Sequence, residues 1–102
     1  MIAVRSKTTY RFRAPETIAR LLSGLHPQIK RRMRAGLDLL GRDAHAGKAL
    51  RAELEGLRSL RVGRFRIVYQ LASRRIIDII AIGPRKTIYE ETLRLVMKDR
   101  RG

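Results

Sequence analysis

The chain opens on alternation. From Ile2 to Phe12, Val4, Tyr10 and Phe12 share one parity while Arg5, Lys7 and Arg11 hold the other, the period of a strand with one apolar face. After Pro15 the period changes. Proline suits a first helical position because its missing N–H has no partner there anyway. Ile18, Leu21, Leu22 and Leu25 then make one apolar stripe at helical spacing. His26-Pro27 breaks that helix and starts another, along which Ile29, Met33, Leu37 and Leu40 recur. Lys30, Arg31, Arg32 and Arg34 cover its other faces, and Gly41 reads as its stop. Residues 15–40 are therefore predicted to be a helical hairpin with a basic outer surface.

Residues 41–56, rich in Gly, Ala and charge, read as a loop with a short turn of helix. From Leu57 the period is two again. Leu57 to Val62 reads as a strand and Gly63-Arg64 as a tight turn. Phe65, Ile67, Tyr69 and Leu71 then alternate with Arg64, Arg66, Val68 and Gln70, giving a strand with one core face and one cationic face. Ser73-Arg74-Arg75 turns the chain into Ile76–Ile82, whose nearly continuous apolar run suits a central strand covered on both sides. Gly83-Pro84 ends it, and Ile88, Thr92, Leu95 and Val96 suggest a closing helix. The expected fold is α+β, in the order βααβββ(α): an N-terminal helical hairpin packed on a small, mainly antiparallel twisted sheet, with a short C-terminal helix.

Length and composition narrow the classes. The 102 residues show no repeat or linker and are expected to form a single domain, 1–102. Asp78 interrupts the longest apolar run, which is far too short to span a bilayer, and Arg5 and Lys7 interrupt any signal-peptide pattern at the start. Cysteine is absent, so disulfides and thiolate metal sites are excluded, and a cytoplasmic location with no membrane partner is the simplest expectation. The charge is the dominant feature. Lys and Arg number 24 against 9 Asp and Glu, a formal net charge of +15, and 19 of the cations are Arg. Such a field attracts polyanions, and the arginine fork matches phosphate oxygens in pairs. An acidic protein partner that neutralises part of the charge is compatible with this, as is a merely soluble arginine-rich surface.

The inventory of reactive groups is short. The sequence has no cysteine nucleophile, no glycine-rich phosphate loop, and no Ser-His-Asp set at a recognisable spacing. His26 precedes a helix proline and reads as a loop or cap residue, His45 lies in a polar loop, and no residue pattern implies a metal or other cofactor. What remains is a set of cations on strands and at strand ends: Arg58, Arg61, Arg64, Arg66, Arg85 and Lys86, with Tyr69 and Tyr89 near them in sequence. Arg64 and Arg66 share a parity, and Arg85 and Lys86 stand just beyond the end of a central strand. A site of Arg, Lys and Tyr suits RNA cleavage by the 2′-hydroxyl, because fixed cations stabilise an anionic phosphorane, and a tyrosine can bond a phosphate or stack on a base. Periodicity alone equally allows exposed arginines on an antiparallel sheet.

Three stretches carry a resemblance. The run Leu57-Arg58-Ser59-Leu60-Arg61-Val62-Gly63-Arg64-Phe65-Arg66-Ile67-Val68-Tyr69-Gln70 resembles the central signature of RelE-type toxins of the RelE/ParE superfamily. Ile80-Ala81-Ile82-Gly83-Pro84-Arg85-Lys86-Thr87-Ile88-Tyr89 is similar to that family's second signature, a hydrophobic strand followed by Gly, basic residues and Tyr. Gly47-Lys48-Ala49-Leu50 and Leu54-Glu55-Gly56-Leu57 resemble its "G-x-x-L … L-x-G-L" stretch, so the likeness covers nearly the whole chain. The resemblance implies the toxin of a bacterial toxin–antitoxin module that cleaves mRNA on the 70S ribosome without a metal. It also implies a cognate antitoxin, an acidic or amphipathic segment that folds on binding, and contact with operator DNA only through that complex.

Carried over by position, Arg66 matches the arginine that stabilises the phosphorane. Arg85 matches the one acting at the leaving 5′-oxygen, and Tyr89 the tyrosine that positions substrate. Arg58, Arg61 and Arg64 are expected to bind RNA. Well-studied members place two lysines where this chain has Leu57 and Ser59, one of them the proposed general base. With those absent, Lys86 and Tyr89 are the nearest groups able to accept the 2′-hydroxyl proton. The ParE branch shares the fold and inhibits DNA gyrase without an RNase site; that reading, and a degenerate toxin that only binds its antitoxin, are the alternatives.

Overall fold

In the computed structural model, residues 10–73 and 75–101 are described, with side chains as far as Lys98. The elements in chain order are β1 (Arg11–Arg13), α1 (Glu16–Ser23), α2 (Pro27–Arg42), β2 (Lys48–Ala49), a 3-10 turn (Ala52–Leu54), β3 (Arg58–Val62), β4 (Phe65–Ser73), β5 (Ile76–Pro84) and α3 (Ile88–Arg101). Most of the strand expected over Ile2–Phe12 lies outside the described residues. No helix among the described residues is long and apolar enough to cross a membrane.

The five strands form one sheet in the order β1-β5-β4-β3-β2. β1 pairs with β5 in parallel, and the other pairs are antiparallel. Val62 pairs with Phe65, so Gly63-Arg64 is a two-residue hairpin turn. Gly63 has φ +61°, which a first turn position of this kind requires and which L side chains rarely adopt.

Strand alternation separates two cores. Ile67 and Tyr69 of β4, with Ile77, Ile79 and Ile82 of β5, pack on one face against Ile18 of α1 and Met33 and Leu40 of α2. Val68, Ala81 and Leu57 pack on the other face with Ile88 of α3. Alternation along β4 predicts a cationic second face. It is cationic only at Arg66, because α3 folds back over the sheet and Val68 is fully buried.

Two further expectations fail for identifiable reasons. Gly41 does not stop α2, which runs through to Arg42. It marks a close approach: the Phe12 ring lies 3.7 Å from where its Cβ would be, and its carbonyl accepts from the Tyr10 N–H at 2.9 Å. The segment 41–56 is not purely loop, since Lys48–Ala49 adds a two-residue edge strand opposite Arg58 and Ser59. A buried tyrosine fixes that segment. The Tyr69 hydroxyl donates to the Ala44 carbonyl at 2.8 Å and accepts from the Gly47 N–H at 3.1 Å. A Cβ on Gly47 would lie 2.7 Å from the Ser59 carbonyl oxygen and 2.8 Å from the Tyr69 hydroxyl, so only glycine fits.

His26 caps α2 as expected, its Nδ1 accepting from the Gln28 N–H at 3.2 Å.

Candidate functional site

The tight β3–β4 turn fixes what stands beside what. Its register sets Arg61 opposite Arg66 and Ser59 opposite Val68. Residues of one parity share a face, so Ser59, Arg61 and Arg66 all lie on the α3 side of the sheet. Arg61 and Arg66 are thus like charges in facing positions, an arrangement that disfavours the free protein. Among the described residues the ion pairs are Arg13–Asp78 and Arg20–Glu16, and neither involves this pair.

Ser59 joins the two groups with most chemical potential. The residue is 1% exposed. The Arg66 Nη1 donates to Ser59 Oγ at 3.1 Å, and the Tyr89 hydroxyl donates to the same oxygen at 3.2 Å. The Arg66 guanidinium carbon lies 5.8 Å from the centroid of the Tyr89 ring, within cation–π range. Tyr89 reaches this point because it lies in the first turn of α3, beside Ile88, whose burial at 1% exposure anchors that turn.

The remaining cations divide. The Arg85 N–H donates to the Arg64 carbonyl at 2.8 Å, tying the turn before α3 to the β3–β4 tip. Arg64, Arg85 and Lys86 are all exposed at this end of the sheet. Nothing in the geometry brings Lys86 against Ser59, Arg66 or Tyr89. Arg58 is elsewhere. It pairs with Tyr69 on the hairpin face, where its Nη2 donates to the carbonyls of Gly47 at 2.6 Å and His45 at 3.1 Å. Tyr69 is likewise a buried brace. Leu57 is a core residue of the α3 face.

Sequence reasoning missed Ser59 as a member of the site, treating it only as the position of an absent lysine. The turn held the signal: a two-residue turn at 63–64 puts Ser59 on the face of Arg61 and Arg66.

These features define a small α+β domain with an arginine-rich surface at one end of its sheet, where Arg61 and Arg66 take part in no ion pair among the described residues. A family model for the ParE toxin of the type II toxin–antitoxin system parDE matches residues 11–89. Solved structures agree in fold. The RelBE2 toxin–antitoxin complex of Mycobacterium tuberculosis contains a chain 30% identical, with 76% of this chain and 93% of that one covered and a TM-score of 0.65. A double arginine-to-alanine mutant of the E. coli RelE toxin in the free state is 19% identical over 89% of this chain and 97% of its own, with a TM-score of 0.66. The archaeal RelE–RelB complex of Pyrococcus horikoshii contains a chain 22% identical over 76% of this chain and 96% of its own, with a TM-score of 0.61. No curated protein matches in sequence. The chain belongs to the RelE/ParE toxin family of type II toxin–antitoxin systems.

Proposed function

We propose that this toxin is an endoribonuclease that cleaves mRNA on the ribosome by attack of the 2′-hydroxyl on the adjacent phosphate. One observation carries the reading: Arg61 and Arg66 face each other with no ion pair among the described residues, and Ser59 holds Arg66 beside Tyr89. An anionic phosphorane is what relieves such a pair, and fixed cations act on it without reorganisation.

In this mechanism Tyr89, once its own hydroxyl proton has passed to solvent, accepts the 2′-hydroxyl proton, because it is the titratable group held against Arg66. Leu57 and Ser59 are buried and do not serve as bases. The 2′-oxygen bonds to phosphorus while Arg66 and Arg61 balance the growing charge. Arg85 stabilises the departing 5′-oxygen, which takes a proton from solvent, leaving a 2′,3′-cyclic phosphate and a 5′-hydroxyl. Arg64 and Lys86 hold flanking phosphates, whereas Arg58 braces the loop and does not touch RNA. The partner that silences the toxin is a cognate antitoxin, whose acidic or amphipathic segment folds over the helical hairpin and the sheet around Arg64 and Arg66. Operator DNA is reached only through that complex.

The match to a model named for ParE favours a second reading, inhibition of DNA gyrase without RNA cleavage. Assays of mRNA cleavage with translating ribosomes and of gyrase supercoiling, run side by side, separate the two. The first reading expects cleavage and no effect on gyrase; the second expects the reverse.

A further inference from the structure

The β3–β4 tip has a second side. Where α2 crosses it, a notch of about 180 Å³ is lined by Ile29, Arg32, Val62, Gly63, Arg64 and Phe65. Ile29, Val62 and Phe65 are half-buried and supply an apolar surface, while Arg32 and Arg64 are exposed. Neither guanidinium takes part in an ion pair among the described residues. A Cβ on Gly63 would lie 3.4 Å from the Arg32 Nη1, so that guanidinium sits directly against the turn.

The size and chemistry of the notch select its occupant. A protein helix or strand needs a longer groove. A single unstacked base offers a π-face to Phe65 or to an arginine plane, and brings its own phosphate to the cations. The position fits as well. Arg64 is two residues from Arg66, about 7 Å along an extended chain, and Arg85 is bonded to the Arg64 carbonyl. RNA with a phosphate between Arg61 and Arg66 would meet this tip within a nucleotide or so.

We infer that the notch between α2 and the β3–β4 turn is a nucleobase subsite. It takes the base of a nucleotide flanking the one whose phosphate lies at Arg61 and Arg66. The subsite rests on the RNA-cleavage reading above and adds to it a point of contact for sequence or context preference on the far side of the tip.

The test uses an uncleavable RNA trinucleotide with 2′-deoxyribose at the scissile position. It is titrated into the full-length protein and followed by NMR at the Ile29 and Val62 methyls and the Ser59 amide. All three are expected to shift. An analogue abasic at both flanking positions is expected to move Ser59 but not the two methyls. Arg32→Ala and Arg64→Ala are each expected to lower the slope of log K against log salt by about one, with the melting temperature unchanged. If Ser59 responds and the methyls do not, the subsite is wrong and the cleavage reading stands. Equal methyl shifts with the abasic analogue would make the notch a phosphate contact only, which also overturns the inference. If no resonance responds, the subsite falls, while the cleavage reading, which places the RNA on the ribosome, is judged by the ribosome assay.

Discussion

Arg61 and Arg66 stand directly opposite each other across the β3–β4 ladder, on the same face of the sheet and in no ion pair among the described residues. Like charges in that position destabilise by a few tenths of a kcal/mol to about 1 kcal/mol. Arg61→Ala is therefore expected to leave the free protein as stable or slightly more stable in urea denaturation at low salt. The gain should vanish at high salt, where the repulsion is screened. A short RNA should stabilise the wild type more than the variant.

Ser59→Ala tests the link between the two chemical groups. It removes the oxygen that accepts from both Arg66 and Tyr89. The fold should lose about 1–2 kcal/mol, since the half-buried guanidinium is left without that bond. Single-turnover cleavage should slow by roughly 10- to 100-fold, as misplacement of a catalytic group by about 1 Å does. A thermal melt and a single-turnover assay on one preparation would show both effects.

Tyr89 and Lys86 can be told apart by their surroundings. Tyr89 touches the Arg66–Ser59 unit, and Lys86 is exposed in the preceding turn. Tyr89→Phe is expected to slow the chemical step by about 100-fold or more, the usual range for losing a general base. Lys86→Met should weaken binding with little change in the single-turnover rate. Equal rates for wild type and Tyr89→Phe would exclude the tyrosine as proton acceptor.

Tyr69→Phe separates brace from site. Its hydroxyl serves the Ala44 carbonyl and the Gly47 N–H, both left unsatisfied without it. A loss of about 1–3 kcal/mol is expected, with faster hydrogen exchange at Gly47 and no loss of cleavage by the folded fraction.

Asp78 gives a pH dependence with a definite sign. It bonds Arg13 through both carboxylate oxygens, at 2.6 and 2.9 Å. The bonded Arg13 guanidinium holds its carboxyl below the usual carboxylate range. A lowered folded pKa stabilises above the unfolded value, about 3.9, and that stability is lost as the pH falls through the folded value. The difference in stability between wild type and Asp78→Asn should be constant near neutrality and shrink below about pH 4. It should be small throughout, because the Arg13 side chain is 64% exposed.

Much of this was legible in the sequence. The helical hairpin, the β3–β4 turn and the interior position of β5 follow from period and from Gly and Pro placement. Charge alone groups Arg58 with Arg61 as RNA-binding, but they differ in parity, and the structure puts them on opposite faces. Gly41 could not be read as a packing glycine, because its reason is the Phe12 ring arriving from another strand. The burial of Val68 depends on α3 folding back over the sheet, a long-range event that local alternation does not encode. Ser59 was within reach of the turn geometry, but a small polar residue gives no signal by composition.

The central claim, that the Arg66 face cuts RNA, is tested most directly by adding wild type and Arg66→Ala to ribosomes translating a defined mRNA. Cut ends are mapped, and the folding of both proteins is checked by circular dichroism. Wild type should leave 2′,3′-cyclic phosphate ends, and the variant should be slower by about two orders of magnitude or more, the weight of one preorganised charge at roughly 3 kcal/mol. Intact mRNA with wild-type protein that inhibits gyrase, and equal inhibition by Arg66→Ala, would contradict it.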